Sequence, residues 1–498
     1  MIESLSGIEG GTLALLVAGL AIAFGFEFVN GFHDTANAVA TVIYTRSLPP
    51  GLAVAWSGLW NALGVVHAAA TGFVVAFSIV HLLPVDLLVS LGPRAGLAMV
   101  FSLLLAAVAW NLGTWFFGLP ASSSHTLIGA VLGVGLAASL GSAAGAGSGV
   151  NWAKAGQVLL SLVVSPFVGF ACAGATLLVG QRLLRDPALH QPARTDEPPP
   201  KGIRALLVLA CTGVSFAHGS NDGQKGVGLV MLILIGILPA NFALDLAAGP
   251  EKVAAAVQAA RDLDESLAAE AGAGRGRYLP GGGEAGDGLE WKHVSLTATP
   301  LSGEVEDLRR ELASIRARLA GVDRLAAVPT GARWTLRADV LRVRQALRDF
   351  DAHHAATLPA ATRARLREGE KKLLRLTEYA PVWVPIGVAL ALGVGTMVGW
   401  RRIVVTVGEK IGKTPMSYAQ GTAAQLVTAG TILAADVAGA PVSTTHVLSS
   451  AVAGGMAASG AGLQPATLRS IALAWLLTLP ASVALGAGFF LAARALVR

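Results

Sequence analysis

Asn30-Gly31-Phe32-His33-Asp34-Thr35-Ala36-Asn37-Ala38-Val39-Ala40-Thr41 places ionisable and amide side chains inside a long apolar run. Such groups are costly within a bilayer, so an intramembrane carboxylate reads first as a functional residue whose partner has to be found. The partner lies further along the same chain. Ala217-His218-Gly219-Ser220-Asn221-Asp222-Gly223-Gln224-Lys225-Gly226 repeats the Gly-x-x-Asp core, with Gly219 answering Gly31 and Asp222 answering Asp34.

A second pair follows in the same order. Leu119-Pro120-Ala121-Ser122-Ser123-Ser124-His125-Thr126 corresponds to Ala440-Pro441-Val442-Ser443-Thr444-Thr445-His446-Val447. The chain is therefore an internal duplication. At about 20 apolar residues per span, the first copy holds hydrophobic blocks at 11–43, 51–80, 95–117, 121–141 and 152–181. The second holds blocks at 203–247, 381–400, 418–437, 441–459 and 467–495. An odd number of blocks inserts the second copy upside down, as in many secondary transporters. The blocks at 11–43 and 203–247 are expected to be broken at their motif glycines.

Composition agrees with a membrane protein. Of 498 residues, 53% are hydrophobic and 14% charged, and the mean hydropathy is +0.61, far from an average soluble domain. The expected fold class is an all-α polytopic membrane protein, an inverted-repeat secondary transporter with broken helices and a polar helical insert. The formal charge of +6 is not a nucleic-acid signature, because the basic residues collect at the ends of apolar blocks and in one polar stretch. Cys172 and Cys211 both lie in apolar runs without zinc-ligand spacing, which argues against a disulfide or a structural zinc. The start, Met1-Ile2-Glu3-Ser4-Leu5, has no basic region of a cleaved signal, and the first block is read as a retained helix that begins outside.

The domains expected are a first transmembrane repeat over 1–200, the start of the second over 201–248, a polar insert over 249–378 and the rest of the second repeat over 379–498. Within the insert, Ala271 through Gly283 reads as flexible. Val305, Leu308, Leu312, Ile315, Leu319, Val322 and Leu325 then recur at helical spacing, an amphipathic helix whose plainest use is packing. Arg46, the Arg182 to Arg204 cluster and the Arg401 to Lys413 cluster fall on one side if each block crosses once, and that side is cytoplasmic. The side of the insert stays open, since a double crossing by the 203–247 block would move it.

The hydroxyl runs suit a tetrahedral oxyanion. Pro120 and Pro441 can each start a helix at its first position. The helix dipole and free N–H groups then favour an anion, and Ser122, Ser123, Ser124, Ser443, Thr444 and Thr445 add donors. Capping and interhelical bonding are the plainer alternative for such runs. Asp34, Asn37 and Asp222 suit a coupling cation, either Na⁺ or a proton. Lys225 stands where the first copy has Asn37, and a fixed ammonium there repels Na⁺, which favours proton coupling. His33, His125, His218 and His446 titrate near neutral pH and are candidates for a proton relay, with helix packing as the alternative.

These residues resemble the Pit-type inorganic phosphate transporters, and especially the bacterial low-affinity phosphate permeases. The matching stretches are Gly31 to Thr41, Trp110 to Trp115, Pro120 to Thr126, His218 to Gly228 and Gly439 to Ser449. The resemblance implies import of inorganic phosphate coupled to a cation gradient in a bacterial inner (cytoplasmic) membrane. It places phosphate on the two proline-hydroxyl motifs and the coupling ion on Asp34, Asn37 and Asp222. The family pattern Gly-Ala-Asn-Asp-x-x-Asn-Ala is departed from at His33 and at Lys225, both adding a basic group. The permeases it resembles are regarded as proton-coupled and as carrying phosphate largely as a neutral complex with Mg²⁺ or another divalent cation.

The expected function is thus phosphate symport with H⁺, the alternatives being Na⁺ coupling, sulfate transport or an intramembrane hydrolase using Ser124. A hydrolase needs one nucleophile, whereas this chain has two equivalent hydroxyl motifs, so no enzyme and no cofactor are expected. The partners expected are phosphate and lipid, with a second copy of the chain as a candidate and nucleic acid excluded.

Overall fold

The computed structural model describes residues 8–72, 75–77, 92–140, 150–193, 197–272, 301–354 and 358–497. Two compact units emerge, one formed by Met1–Ile237 with Ala380–Arg498 and the other by Leu238–Tyr379. The first is helical throughout its described core: α1 Gly10–Tyr44, α2 Pro50–Thr71, α3 Gly92–Phe116, α4 Ser123–Ser139, α5 Trp152–Leu183 and α6 Lys201–Ile237. In the second unit lie α7 Pro250–Gly272, α8 Leu301–Leu319, α9 Thr330–His353 and α10 Ala360–Leu374. The chain then returns to the first unit with α11 Trp383–Thr396, α12 Arg401–Glu409, α13 Tyr418–Val437, α14 Thr444–Ala458 and α15 Pro465–Val497.

Among the described residues six helices are long and apolar enough to cross a membrane, within α1, α2, α3, α5, α6 and α15. The pair α11 and α12 qualifies jointly but is bent by 66°. Exposed apolar side chains such as Leu160, Val163 and Phe167 line the outside of α5. On a water-facing helix such a strip would be unstable, and in lipid it is the expected surface.

The two motif helices run antiparallel. Gly19 of α1 lies against Ile233 of α6, Glu27 against Gly226, and Asp34 against His218. Each motif helix also runs parallel to the second helix of the other copy. Phe24 and Phe28 of α1 meet Gly387 and Gly395 of α11 in rising order, as Trp56, Asn61 and Val65 of α2 meet Thr212, Gly219 and Gly223 of α6. The same exchange joins α4 to α15 and α14 to α5.

Three local expectations are corrected. First, α1 and α6 continue unbroken through their motifs. The motif glycines serve close approach instead: a Cβ on Gly31 would stand 2.4 Å from the Leu392 carbonyl oxygen, and one on Gly219 2.0 Å from that of Asn61. The polar side chains find partners across the bundle, so the backbone need not unwind. Second, Pro120 and Pro441 are not at the first helical position. The helices begin three residues beyond, with Ser122 and Ser443 as N-caps accepting from the His125 and His446 amides at 3.1 and 3.2 Å. Third, the amphipathic helix ends at Leu319, because Gly321 takes a positive φ of 70°. Val322 and Leu325 follow that break, Leu325 in a single 3₁₀ turn.

In the second unit α7 packs on α8 and α10, and α9 closes the ring against both. Val305, Leu308, Leu312, Ile315 and Leu319 face its core with Leu263, Leu336, Phe350 and Leu366. Within Ala271 to Gly283, Ala271 and Gly272 end α7 and the rest lies outside the described residues.

Candidate substrate and ion site

Asp34 is the hub. It sits about two-thirds of the way along α1 with 2% exposure, and three other helices of the bundle reach it. Ser123 of α4 donates to its Oδ2 at 3.0 Å, and Thr445 of α14 donates to its Oδ1 at 2.6 Å. Thr444 lies 3.4 Å from Oδ2. His33 Nδ1 is 3.4 Å from Oδ1, and its Nε2 is 3.2 Å from the Thr114 hydroxyl of α3. From α6, His218 Nε2 approaches Oδ2 at 3.6 Å. Such crowding is possible because α4 and α14 both begin here, bringing two helix N-termini to one carboxylate.

The second carboxylate is joined to the first through His218. Its Nε2 lies 3.1 Å from Asp222 Oδ2, while Nδ1 lies 2.9 Å from Asn61 Oδ1. Asn61 in turn donates from Nδ2 to Thr396 Oγ1 at 3.0 Å, which fixes its oxygen toward the ring. The Nδ1 side of the ring thus faces the Asn61 oxygen, and the Nε2 side lies between the carboxylates of Asp222 and Asp34. Lys225 forms an ion pair with Asp222 Oδ1 and also donates to Ser124 Oγ at 2.5 Å and the Val442 carbonyl at 3.2 Å. Ser124 itself donates to Val442 O at 2.9 Å. One ammonium thus ties the second carboxylate to both hydroxyl motifs.

Asn37 donates to Thr444 and Thr445 at 3.3 and 3.0 Å, and its Oδ1 has no hydrogen-bond partner among the described residues. Asp34, His218 and Asp222 each offer a ligand atom within 4.8 Å of the others, a set able to hold a cation. All of these side chains are buried. The residues singled out in the sequence do not all meet. Ser122 and Ser443 are turned back onto their own helices as caps. His125 and His446 face each other, ring centroids 4.6 Å apart, and His446 stacks on Trp475 at 4.0 Å. That histidine pair is joined to the hub through the first turns of α4 and α14 rather than by a direct bond.

Several polar residues at the site escaped the motif reading. Glu27 lies on the Asp34 helix, Asn61 orients His218, and Gln425 of α13 donates to the Ala38 carbonyl at 2.6 Å. Asp436 accepts from Asn221 at 2.6 Å. The signal was present for Glu27, an acid seven residues before Asp34 and so on the same helical face. The amides are single residues in apolar helices, and nothing in the sequence marks which neighbour they meet.

A cavity of about 910 Å³ lies elsewhere, at the Tyr44 end of α1, where Arg46, Arg204 and Lys413 line it. It marks the basic end of the bundle rather than the buried cluster.

Residues 30–486 match the phosphate transporter family, PHO4. The chain is 41% identical to the low-affinity inorganic phosphate transporter PitB of Escherichia coli (strain K12), over 98% of this chain and 99% of that protein. Identity to PitA of the same strain is also 41%, with the same coverage. A low-affinity inorganic phosphate transporter of Buchnera aphidicola subsp. Acyrthosiphon pisum is 38% identical over 95% of each chain. Among solved structures, one described as the sodium-dependent phosphate transporter aligns with a TM-score of 0.54 at 20% identity, covering 97% of this chain and 99% of that one, a likeness of fold. The relatives are named as transporters and not as enzymes. A family match across nearly the whole membrane unit, with relatives aligned end to end, establishes that the chain belongs to the phosphate transporter family, in its Pit-type branch.

Proposed function

We propose that this chain imports inorganic phosphate across a bacterial inner membrane by proton symport, binding it where α4 and α14 begin. The observation that carries this reading is the Lys225 ammonium, paired with Asp222 and bonded to Ser124. A resident cation at the second carboxylate leaves little attraction for Na⁺ there. It also adds a positive charge beside the hydroxyls that would take the anion.

The hydroxyls are shared between two tasks. Ser123 and Thr445 donate to Asp34. Protonation of Asp34 converts an acceptor oxygen into a donor and weakens its hold on those hydroxyls. They then become free, with the N–H groups of the two first helical turns, for the oxygens of phosphate. Proton binding and phosphate binding thereby favour each other, which is the requirement for symport. A divalent cation travelling with phosphate as part of the substrate would reduce the charge the site has to neutralise.

The cluster of Asp34, His218 and Asp222 favours a second reading, a coupling cation held there. An imidazole is a poor ligand for a hard ion such as Na⁺, so the proton remains the better fit. In proteoliposomes, radiolabelled phosphate should accumulate under an imposed pH gradient in the absence of Na⁺, and more strongly with Mg²⁺ than without. Sulfate should not compete. Full accumulation under a Na⁺ gradient alone would overturn the proton assignment, and Asp34→Asn and Asp222→Asn should each abolish accumulation.

A further inference from the structure

Glu27 is fully buried on α1, and beyond the Asn30 amide one turn along its own helix neither carboxylate oxygen has a hydrogen-bond partner among the described residues. An ionised carboxylate in that position is strongly disfavoured, whereas the protonated acid is tolerated. Space for the group is made by Gly226 of α6, where a Cβ would stand 2.4 Å from Glu27 Cδ. The pocket is thus shaped to the carboxyl. Around it lie the Asn30 amide of its own helix and Asp222, Lys225 and His218, the charged and titratable groups that face it, all on α6.

Position adds direction. Glu27 is two helical turns from Asp34 on the same face, about 10 Å along the axis. It lies toward the start of α1, the end at which Gly19 meets Ile233 and Ile237. The basic residues Arg46, Arg204 and Lys413 gather at the opposite end, which marks that end as cytoplasmic. A proton moving inward therefore meets Glu27 before Asp34. The other copy has no equivalent acid: seven residues before Asp222 stands Ser215, which donates to Ser57 at 2.9 Å. One carboxyl without a symmetry mate breaks the likeness of the repeats at a point where the two motif helices touch.

We propose that Glu27 is a proton-binding site of the transport cycle. It takes one proton from the outer side, holds it as the neutral acid in the closed bundle, and releases it to the inner side with phosphate. This assignment rests on the proton-symport reading above.

The test compares wild type, Glu27→Gln and Glu27→Asp in proteoliposomes. Gln imitates the protonated acid and cannot release a proton. Glu27→Gln should exchange labelled for unlabelled phosphate at equal pH on both sides, yet lose at least tenfold in accumulation driven by a pH gradient. Glu27→Asp should retain accumulation with a shifted pH profile. Gradient-driven accumulation by Glu27→Gln equal to wild type would overturn the proposal while leaving symport intact. Loss of exchange together with accumulation, in a variant that stays monodisperse, would assign Glu27 to packing and likewise overturn it. A wild type that ignores the pH gradient would overturn the symport reading itself.

Discussion

Lys225 holds Asp222, the Ser124 hydroxyl and the Val442 carbonyl together from one buried ammonium. Removing one partner of a buried ion pair leaves an uncompensated charge, at a cost of about 3–5 kcal/mol. Lys225→Asn restores the amide that the first copy has at Asn37, so the carboxylate left behind must find another cation. The variant is expected to lose most of its accumulation under a pH gradient and to be stabilised against heat by NaCl but not by choline chloride. Thermal stability measured in the two salts checks this, and a response to neither would count against Lys225 as a built-in cation. The chemistry at this scale was legible because charge is conspicuous in an apolar chain. Asp34, Asp222 and Lys225 stood out in the sequence, and they lie together in the fold. Asn61 did not stand out, since its role consists in where it points, and only the packing of α2 on α6 sets that.

The motif glycines belong to the scale of helices. A Gly-x-x-Asp core in an apolar run suggests a broken helix, but Gly219 is where α6 is pressed onto α2 and Gly31 is where α1 is pressed onto α11. Sequence gives the flexibility of glycine and not its neighbour, so a break and a close approach look alike until the partner helix is placed. Gly219→Ala should force the Asn61 carbonyl aside, draw His218 away from Asn61 and destabilise the fold by about 1–3 kcal/mol as overpacking. Gly236→Ala, on the same helix but with nothing within 4 Å, should be neutral or gain up to about 1 kcal/mol through helix propensity. Melting of the two variants in detergent distinguishes them. In the polar unit the equivalent scale is an ion pair. Burial opposes ionisation of Asp351, yet hydrogen bonds and charge from Arg363 and Arg367 of α10 outweigh it and hold the carboxyl below its usual range. A depressed carboxylate stabilises above its unfolded value near 4 and is lost as pH falls through its folded one. Protection against hydrogen exchange at the start of α10, taken relative to the intrinsic rate at each pH, should therefore fall on acidification below about pH 4, and Asp351→Asn should show the lower protection already at neutral pH.

The arrangement of the whole molecule bears on the sidedness that counting blocks left open. Because α6 is antiparallel to α1 and α11 is parallel to it, the chain leaves the membrane unit at Ile237 and re-enters toward Trp383 at the end where α1 begins. The opposite end carries the basic groups: Arg204 donates to the Ser47 carbonyl at 2.7 Å, Arg402 stacks over Trp115 at 5.0 Å, and Lys413 packs against Gly462. Short basic loops of this kind stay in the cytoplasm. By that rule the connections to Leu238–Tyr379 are expected on the outer side, and the unbroken run of α6 argues against a double crossing by it. The duplication was read from two pairs of motifs, but which helices of the two copies pack together was not legible, since partner exchange between copies leaves no mark in either copy alone. Cysteine labelling tests the sidedness. With Cys172 and Cys211 replaced by Ser, a cysteine at the exposed position Glu306 should react with a membrane-impermeant maleimide in intact spheroplasts. One at Lys410 should react only after the membrane is opened, and the reverse pattern would put the basic end outside and invert the direction assigned to the proton path.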